Sequence, residues 1–428
     1  MKKAIALLIA IVMVFALCAC GQSAAPAAND APAASNDAPA AANDAPAAND
    51  TPAANDTPAA PAVKVGFIFL HDEQSTYDLN FMNAAKEACE KLGIEYILKT
   101  GIDESQECYE TALDLVDEGC NIIFADSFGH EDYMIQAAKE CPEVEFCHAT
   151  GTKAHTEGLA NYHNAFASIY EGRFLAGVAA GMKLNEMIES GKITAEEAVI
   201  GYVGAYTYAE VVSGYTSFFL GARSICPSAT MKVTFTGSWY DMPLEQEGAQ
   251  KLIDSGCVLI SQHADSMGAP NTCEAAGVPN ISYNGSTKEA GPNTYIISSR
   301  INWAPYFEYI IGCVAEGKAI DTDWTGTIAT GSVELLELNE DVAAEGTAAK
   351  IEEVKAGLAD GSVHVFATDA FTVNGEALES YLADVDTDPA YEGDTEVIAD
   401  GYFHESEFRS APYFDLQIDG IELLNVAF

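Results

Sequence analysis

From residue 63 onward, short apolar runs alternate with longer stretches in which apolar residues recur at helical spacing. The first run, VKVGFIFL at residues 63–70, has the composition of a buried strand, and the spacing that follows predicts a helix over Leu79–Leu92. This alternation is typical of a parallel β-sheet covered by helices on both faces. The same criteria predict strands at Ile94–Leu98, Asn121–Ala125 and Val144–Ala149, and helices at Ser105–Asp117 and Glu131–Cys141.

A longer helix is predicted at about Phe166–Met182, and the alternation begins again after it. Gly177 and Gly181 lie four residues apart in this helix, a spacing that permits close approach, and we expect this face to pack against the sheet. Glu171 and Arg173 argue against a membrane helix. The second half predicts strands at Val199–Gly204, Met231–Phe235, Val258–Gln262, Asn280–Tyr283 and Tyr295–Ser299, and helices at Glu210–Arg223, Leu244–Ser255, Gly268–Ala276 and Tyr306–Glu316.

Two successive α/β units of similar design predict two lobes with a cleft between them. We expect an N-terminal lobe at residues 63–165, with returning segments near 300–320, and a C-terminal lobe at 166–298. Residues 321–428 are less regular and are expected to complete the lobes, either by padding one of them or by carrying the chain back across the hinge. This part predicts a helix at Ile351–Ala359 and strand-like segments at Gly331–Leu338 and Ser362–Thr368.

The first 62 residues differ in composition from the rest. Lys2 and Lys3 precede an apolar run that is shorter than the about 20 residues needed to span a bilayer, which predicts a signal peptide at residues 1–19. The cysteine after the predicted cut resembles the lipobox of bacterial lipoproteins, which implies that Cys20 carries lipid. An uncleaved anchor or a plain secreted protein are the alternatives. Residues 20–62 repeat Ala-Pro-Ala-Ala-Asn-Asp and predict a disordered tether.

The chain carries 20 basic and 65 acidic residues, a formal charge of -45 at pH 7. Positive charge supplies most of the affinity for nucleic acids, so this balance argues against nucleic-acid binding. It also argues against docking on anionic lipid through a basic patch.

Of the 11 cysteines, Cys18 would leave with the signal peptide and Cys20 would carry lipid, which leaves nine. An odd number spread over a large body predicts small buried hydrophobes rather than a disulfide framework.

The predicted strand ends share a composition that points to a binding site. Ligands of open α/β sheets bind beyond the carboxyl ends of the strands, and nearly every such loop here pairs an aromatic residue or histidine with a carboxylate or amide. Aromatic faces stack on planar rings, while carboxylates and amides bind ring N–H groups or hydroxyls. The mixture suits a flat, polar, uncharged ligand. The loops are 71–78, 126–130, 205–208, 238–241, 263–266, 284–286 and 301–303.

Motifs for several other chemistries are missing from the sequence. No GxGxxG follows a predicted strand and no GxxxxGK[ST] occurs, so neither dinucleotide nor ATP binding is predicted. The run Asp384-Val385-Asp386-Thr387-Asp388 begins like an EF-hand loop but lacks the required glycine and glutamate. No histidine or cysteine spacing matches a zinc site. We therefore expect no cofactor, no metal and no catalytic residue.

Several motifs in residues 63–318 point to one family. The most specific are FCHATG at 146–151, YEGRFLAG at 170–177, SWYD at 238–241, QHADS at 262–266 and NWAPY at 302–306. With these motifs the chain resembles the basic membrane protein family of substrate-binding lipoproteins, which serve ABC importers and include purine nucleoside receptors of spirochaetes. The SWYD and QHADS motifs are similar to the branch that includes Med-like proteins.

The resemblance implies a type I periplasmic-binding-protein fold, in which two Rossmann-like lobes with parallel sheets are joined by a hinge and close on a ligand. It implies a purine nucleoside or base as that ligand. Asn284 stands where relatives often carry an aspartate that holds the ribose hydroxyls, which leaves nucleoside against free base open. By position, the resemblance assigns stacking to Tyr77 and Phe128, polar edges to Asp78 or Asp126, an opposite wall to Tyr206, Trp239 and Trp303, and acceptors to Asp241 and Asp265.

The leading hypothesis is a lipid-anchored substrate-binding protein on the outer face of the bacterial cytoplasmic membrane. The resemblance implies that it closes on a small ligand without catalysis and presents it to an ABC permease and its ATPase subunit. One alternative is a binding protein for another ligand, such as riboflavin or a sugar. The others are an exported nucleoside hydrolase and a structural surface protein or adhesin.

Overall fold

The computed structural model describes residues 62–385 and 395–428. The predicted signal peptide, Cys20 and all of the predicted tether except its last residue lie outside the described residues. The described residues belong to a single compact unit. Within this part of the chain, none of the helices is long and apolar enough to cross a membrane.

A six-stranded sheet forms the core of the N-terminal lobe, and its neighbouring strands all pair in parallel. Its inner strands are mostly buried on both faces, since helices cover each side. The strand order is β11-β5-β4-β3-β1-β2. The strands are β1 (Lys64–Ile68), β2 (Glu95–Lys99), β3 (Ile122–Ala125), β4 (Glu145–Ala149), β5 (Tyr162–Ala167) and the returning β11 (Asp323–Gly326).

The helices of this lobe begin and end at residues with clear capping chemistry. Helix α1 (Thr76–Leu92) begins after Ser75, whose hydroxyl accepts a hydrogen bond from the Asp78 amide at 3.2 Å, and ends at Gly93 with φ 69°. The returning helix α9 (Ala304–Glu316) packs on α1. The remaining helices are α2 (Gln106–Asp117), α3 (Glu131–Glu140) and the short α4 (Ala154–Glu157), with a 3₁₀ turn at Phe128–His130.

A seven-stranded sheet forms the core of the C-terminal lobe. Its order is β12-β10-β9-β8-β6-β7-β17, and only the β10–β12 pair is antiparallel. The strands are β6 (Val199–Gly204), β7 (Thr230–Phe235), β8 (Leu259–Gln262), β9 (Asn280–Tyr283), β10 (Tyr295–Ile301), β12 (Val333–Leu335) and β17 (Ile421–Leu423). The helices are α5 (Ile169–Glu189), α6 (Ala209–Ile225), α7 (Met242–Asp254), α8 (Gly268–Ala276) and α10 (Thr347–Asp360), with a 3₁₀ turn at Ala195–Glu197.

Three chain crossings join the two lobes. They lie between β5 and α5, between β10 and α9, and between β11 and β12. Backbone hydrogen bonds tie the crossings together, because the Ser168 amide donates to the Gly326 carbonyl and the Asn302 amide donates to the Ser332 carbonyl, both at 2.8 Å. Two parallel-sheet lobes joined in this way confirm the predicted type I periplasmic-binding-protein fold.

Most of the last hundred residues is irregular, and it touches both lobes. Residues 421–423 add a parallel strand beside β7, and the Ser410 amide donates to Asp323 Oδ2 on β11 at 2.8 Å. Two small antiparallel pairs complete this part: β13 (Leu382–Ala383) with β14 (Thr395–Glu396), and β15 (Ile398–Ala399) with β16 (Tyr402–Phe403).

The free cysteines of the described chain are buried except for the half-buried Cys141, as small hydrophobes should be.

Three predictions from the sequence are wrong. Residues 162–167 form β5, so Phe166 belongs to a strand and α5 begins only at Ile169, after the chain has left the N-terminal sheet. Residues 362–368 form turns with one isolated bridge from Ala367 to Tyr402 instead of a strand. The third wrong prediction is that Gly177 and Gly181 of α5 pack against the sheet. They pack against helix α6 instead.

Helices α5 and α6 approach each other so closely that glycine is required at their contact. A Cβ atom on Gly177 would lie 2.0 Å from the Phe218 carbonyl oxygen, and one on Gly221 would lie 2.0 Å from the Phe174 carbonyl oxygen. Gly181 meets the Ala222 carbonyl in the same way. These contacts are with backbone atoms, which cannot rotate away as a side chain can. The small residues therefore set the distance between the two longest helices of the C-terminal lobe.

We predict that Gly177→Ala lowers the free energy of unfolding by about 1–3 kcal/mol, because the added methyl group forces the two helix backbones apart. Guanidinium denaturation followed by circular dichroism measures this loss. Gly312→Ala is the matched control, since a Cβ atom there meets no atom within 4 Å in the middle of α9. Alanine favours a helix over glycine, so this control should be neutral or stabilising. Equal losses in both variants would contradict the steric explanation.

Candidate functional site

The carboxyl ends of the two parallel sheets face each other across a cavity between the lobes. The cavity lies where open α/β sheets bind their ligands, beyond the carboxyl ends of the strands. It is lined by Leu70, His71, Tyr77, Asp78, Ser127, Phe128 and Thr150 of the N-terminal lobe, and by Glu210, Trp239, His263 and Asp265 of the C-terminal lobe.

Two aromatic side chains form the apolar part of the N-terminal wall. Tyr77 lies in the first turn of α1, where its hydroxyl donates to the Asp126 carbonyl at 2.8 Å and its ring meets Phe81 edge-on. These contacts fix the Tyr77 ring. Phe128 begins the 3₁₀ turn after β3 and is 41% exposed. A large apolar side chain that stays exposed at a cavity is available for a ligand.

The opposite wall is an aromatic cluster on two loops of the C-terminal lobe. Trp239 follows β7, and its ring meets Tyr206 in a T-shaped contact at 5.0 Å between centroids. Tyr206 in turn stacks on Tyr208 at 5.1 Å with an interplanar angle of 15°. Only Trp239 of these three lines the cavity, so Tyr206 and Tyr208 act as its support. Flat rings thus face the cavity from both lobes.

Direct contacts hold the lobes together around the cavity. The Thr76 amide and hydroxyl both donate to the Asp265 carbonyl, at 3.0 and 3.2 Å. Two aromatic pairs also bridge the lobes: Phe128 with Tyr208 at 5.4 Å between centroids, and His71 with Tyr240 at 5.6 Å. The pairs separate the cavity from two outer grooves, one lined by Phe128 and Tyr208 and the other by His71 and Tyr240. The structure therefore has its lobes closed on each other.

Asp78 is held by hydrogen bonds from its own loop. Burial opposes its charge, but hydrogen bonds from His71 and Ser75 prevail and lower the pKa of Asp78. The His71 amide donates to Asp78 Oδ1 at 2.8 Å, and the Ser75 hydroxyl donates to Oδ2 at 2.5 Å. Asp78 therefore stays ionised and fixes the loop that follows β1.

Two further carboxyl groups at the cavity favour their protonated form. Burial, with Asp78 nearby, raises the pKa of Asp126 and of Asp265 well above the ordinary value. Asp126 Oδ1 accepts from the Leu70 amide at 3.2 Å, while its Oδ2 is buried without a hydrogen-bond partner in the described chain. A protonated carboxyl group donates as well as accepts. The site therefore combines a carboxylate with acids that can donate.

A hydrogen-bonded chain fixes the tautomer of His263. Burial lowers the pKa of His263, so its ring is neutral and has one donor and one acceptor. Its Nε2 faces Glu210 Oε1 at 3.3 Å, which places the proton on Nε2, and Nδ1 accepts from the Tyr202 hydroxyl at 3.4 Å. Buried Arg173 donates to Tyr202 in turn and lies over the Tyr283 ring. The chain orients Glu210 at the cavity wall.

Two residues beside the cavity have left-handed backbone conformations. Thr150 has φ 64° and lines the cavity, while Asn284 has φ 62°, lies near Asp265 and has a buried Nδ2 without a hydrogen-bond partner among the described residues. Gly151 follows Thr150 and is enclosed, since a Cβ atom there would lie 2.0 Å from Asn164 Nδ2. Non-glycine residues with such φ values cost free energy and mark sites held by their surroundings.

The structure brings together five of the residues that the sequence assigned to the site. Tyr77, Asp78, Phe128, Trp239 and Asp265 line one cavity. Three more form a second layer behind it: Asp126 contacts Tyr77, Tyr206 supports Trp239, and Asn284 lies near Asp265.

Two of the expected residues lie elsewhere. Contrary to the prediction from the sequence, Trp303 does not form part of the opposite wall. It is buried in the core of the N-terminal lobe and stacks on Phe81 at 4.5 Å between centroids. Asp241 caps α7, with its Oδ1 accepting from the Leu244 amide at 2.9 Å, and it does not line the cavity. Both follow predicted strands, but their side chains serve the fold.

Sequence reasoning left several cavity residues unassigned. Glu210 lies in the first turn of α6, beyond the loop that follows β6, and Thr150 follows β4, outside the loops that the composition marked as a binding site. His71, Ser127 and His263 belong to the predicted binding loops, and their position directly after strands was the signal that could have identified them. Among the described residues, no group of three or more histidines, cysteines or acids is arranged to hold a metal ion.

A comparison with protein families identifies the class of this protein. The Bmp family, described as ABC transporter substrate-binding protein PnrA-like, matches residues 67–362. The chain therefore belongs to this family of ABC transporter substrate-binding proteins, which confirms the resemblance based on its motifs.

Individual relatives agree with this assignment. A putative ABC transporter glucose-binding protein of Haloferax volcanii is 32% identical over 282 residues, which are 66% of this chain and 66% of the relative. A purine-binding protein of Brucella abortus is 32% identical over 250 residues, 57% of this chain and 67% of the relative. A solved ABC transporter solute-binding protein of Aeropyrum pernix K1 has a TM-score of 0.59 at 17% identity, covering 71% of this chain and 93% of that one. The last likeness concerns the fold alone.

We predict that the free energy of unfolding of Asp265→Asn, relative to the unaltered protein, increases with pH. The raised pKa means that the folded protein keeps a proton which the unfolded chain releases, so Asp265 costs stability as pH rises from its ordinary value to its folded value. The cost grows by up to about 1.4 kcal/mol per pH unit in that window, and asparagine removes it.

Urea denaturation of ligand-free protein at about pH 5 and about pH 8 measures this difference. Asp114→Asn, at an exposed position of α2, controls for the loss of one acidic side chain. A difference for Asp265→Asn that falls as pH rises would contradict the prediction.

Proposed function

We propose that this protein binds a purine nucleoside or a free purine base in the cavity between its lobes. The observation that carries the proposal is the combination of facing aromatic rings with buried carboxyl groups in one closed cavity. Phe128 and Tyr77 on one side and Trp239 on the other can hold a flat ring by stacking. The purine-binding relative of Brucella abortus supports the same ligand class.

The polar groups of the cavity favour a ligand that both donates and accepts hydrogen bonds. Asp78 and Glu210 can accept from ring N–H, amino or hydroxyl groups, and protonated Asp265 can also donate. Purines carry both kinds of group on their edges. None of the described residues that line the cavity is a lysine or an arginine. A phosphate group would therefore meet carboxylates without a cation, which argues for nucleosides or bases over nucleotides.

A sugar is the second candidate, because the relative of Haloferax volcanii is named as a putative glucose-binding protein. Carboxylates accept from sugar hydroxyls as readily as from ring nitrogens. The aromatic rings on both walls favour a flat ligand over a single sugar. Asn284 bears on the choice between a nucleoside and a free base, because its buried amide lies near Asp265 and its Nδ2 has no hydrogen-bond partner among the described residues.

We further propose that the protein acts without catalysis as the extracytoplasmic receptor of an ABC importer. Ligand binding would favour the closed arrangement of the lobes, and the closed lobes would dock on the permease that works with an ATPase subunit. The lobe contacts through Thr76 and Asp265 support closure as the response to ligand. Membership of the substrate-binding family supports the partnership.

Thermal unfolding of the body from residue 63 onward, refolded to remove bound ligand, tests the ligand class. The panel holds adenosine, guanosine, inosine, their free bases, uridine, adenosine monophosphate, riboflavin, ribose and glucose. A ligand at 100 times its dissociation constant adds about 2.7 kcal/mol of stability. We expect shifts from purines and none from the nucleotide. A shift from glucose or riboflavin alone would replace the proposed ligand.

Substitution of Phe128 tests the stacking. We predict that Phe128→Ala weakens purine binding by about 1–3 kcal/mol, the usual effect of removing an aromatic side chain that stacks on a base. Isothermal titration calorimetry measures the dissociation constant. Phe408→Ala is the matched control, because Phe408 is 47% exposed against 41% for Phe128 and does not line the cavity. Unchanged affinity in Phe128→Ala would exclude stacking by this ring.

The N-terminal sequence supports a lipid anchor at Cys20 on the outer face of the cytoplasmic membrane. We predict that Cys20→Ala moves the protein from the membrane fraction to the soluble fraction of a bacterial host. Lipid attachment needs the cysteine thiol, whereas the tether contributes little apolar surface. Cys18→Ala is the control two residues away and should stay with the membrane. Retention of both variants would indicate an uncleaved anchor instead.

A further inference from the structure

The last part of the chain lies beyond the family match, which ends at residue 362. Part of this extension follows the C-terminal sheet, because β17 runs parallel to β7 and pairs Ile421 with Met231 and Leu423 with Val233. The register continues after the strand, where the Leu424 amide donates to the Val233 carbonyl at 2.8 Å. Residues 421–424 of this extension therefore run beside β7 toward the carboxyl edge of the sheet, where the cavity lies.

Asn425 holds the extension at the end of β7 with three hydrogen bonds. Its Oδ1 accepts from the Phe235 amide at 2.8 Å and from the Thr234 hydroxyl at 3.0 Å. Its Nδ2 donates to the Phe235 carbonyl at 2.8 Å. One side chain thus satisfies both backbone groups of the last residue of β7, just before the loop that carries Trp239.

Ala427 then pairs with the aromatic loop that follows β6. The Thr207 amide donates to the Ala427 carbonyl at 2.7 Å, and the Ala427 amide donates to Thr207 Oγ1 at 3.0 Å. Thr207 lies between Tyr206, which supports Trp239, and Tyr208, which meets Phe128 of the other lobe. Ala427 of the extension is therefore hydrogen-bonded to Thr207, the residue between the Tyr206 and Tyr208 rings.

This pairing bears on how the cavity closes. The Tyr208–Phe128 pair separates the cavity from the outer groove that both rings line, and the extension lines that groove as well. Tyr206 and Tyr208 do not reach into the core clusters of the lobe, so their rings depend on the backbone of their loop for position. Because Ala427 already holds this loop at Thr207, ligand binding costs less conformational entropy for ordering the loop.

We propose that residues 424–427 position the ligand-binding wall of the C-terminal lobe by holding the loop Tyr206–Tyr208 in place. Asn425 attaches the extension to β7, and Ala427 attaches the loop to the extension. The loop supports Trp239 through Tyr206 and carries Tyr208, the ring that meets Phe128. The inference rests on the proposed function only in that a small ligand occupies the cavity. It does not depend on which ligand that is.

Two variants of the full chain test the inference. Asn425→Ala removes the three hydrogen bonds to β7, and Thr207→Val removes the acceptor for the Ala427 amide while keeping the shape of the side chain. Val426→Ala is the matched control, because Val426 lies between the two attachment points, is 57% exposed and leaves every backbone bond intact. Hydrogen–deuterium exchange of a peptide spanning 205–209 measures the loop, and calorimetry with the panel ligand that gives the largest thermal shift measures binding.

We expect faster exchange of the loop and about tenfold weaker binding in Asn425→Ala, a smaller change of the same kind in Thr207→Val, and no change in Val426→Ala. Should Asn425→Ala fail to fold, Thr207→Val decides alone. Unchanged loop exchange in the folded variants would overturn the inference, and so would faster exchange with unchanged affinity. If the unaltered protein bound no ligand of the panel, the proposed ligand class would fail, and the exchange of the loop would still decide the positioning role.

Discussion

Parallel pairing of the strands is the constraint on which the rest of this structure depends. Parallel neighbours need a crossover between them, so helices cover both faces of each sheet and leave little polar surface there. Polar and aromatic side chains collect instead in the loops and first helical turns at the strand ends. Because the carboxyl ends of the two sheets face each other, these loops form the two walls of one cavity.

The same closure determines the electrostatics of the site. The chain has a formal charge of -45 at pH 7, and acidic side chains line the cavity from both lobes. Loop hydrogen bonds stabilise the charge of Asp78, while burial beside it raises the pKa of Asp126 and Asp265. Neighbouring carboxyl groups cannot all ionise in a buried space. The cavity is thereby suited to neutral ligands that donate and accept hydrogen bonds.

The elements of the fold could be predicted because their signals are local. Buried strands are short apolar runs between turn residues, and β6, α8 and β9 match their predicted bounds residue for residue. Tyr77, Phe128 and Trp239 could be found because they follow strands. Glu210 and the extension at 424–427 could not, since the first lies within a helix and the second lies some 190–220 residues from its partners in sequence.

The sequence by itself determined the order of strands and helices, the division into two similar halves and the side chains available at the strand ends, because these depend on neighbouring residues. Only the tertiary structure decided which of them face the cavity. Trp239 and Trp303 both follow a strand, but the chain crosses to the other lobe after β10, and the packing of α9 on α1 turns Trp303 into the core. Gly177 shows the same limit, because its spacing predicts close packing and only the fold supplies α6 as its partner. Contacts between segments far apart in the sequence decide which side chains face the cavity and which helices pack together. Local sequence patterns do not contain this information.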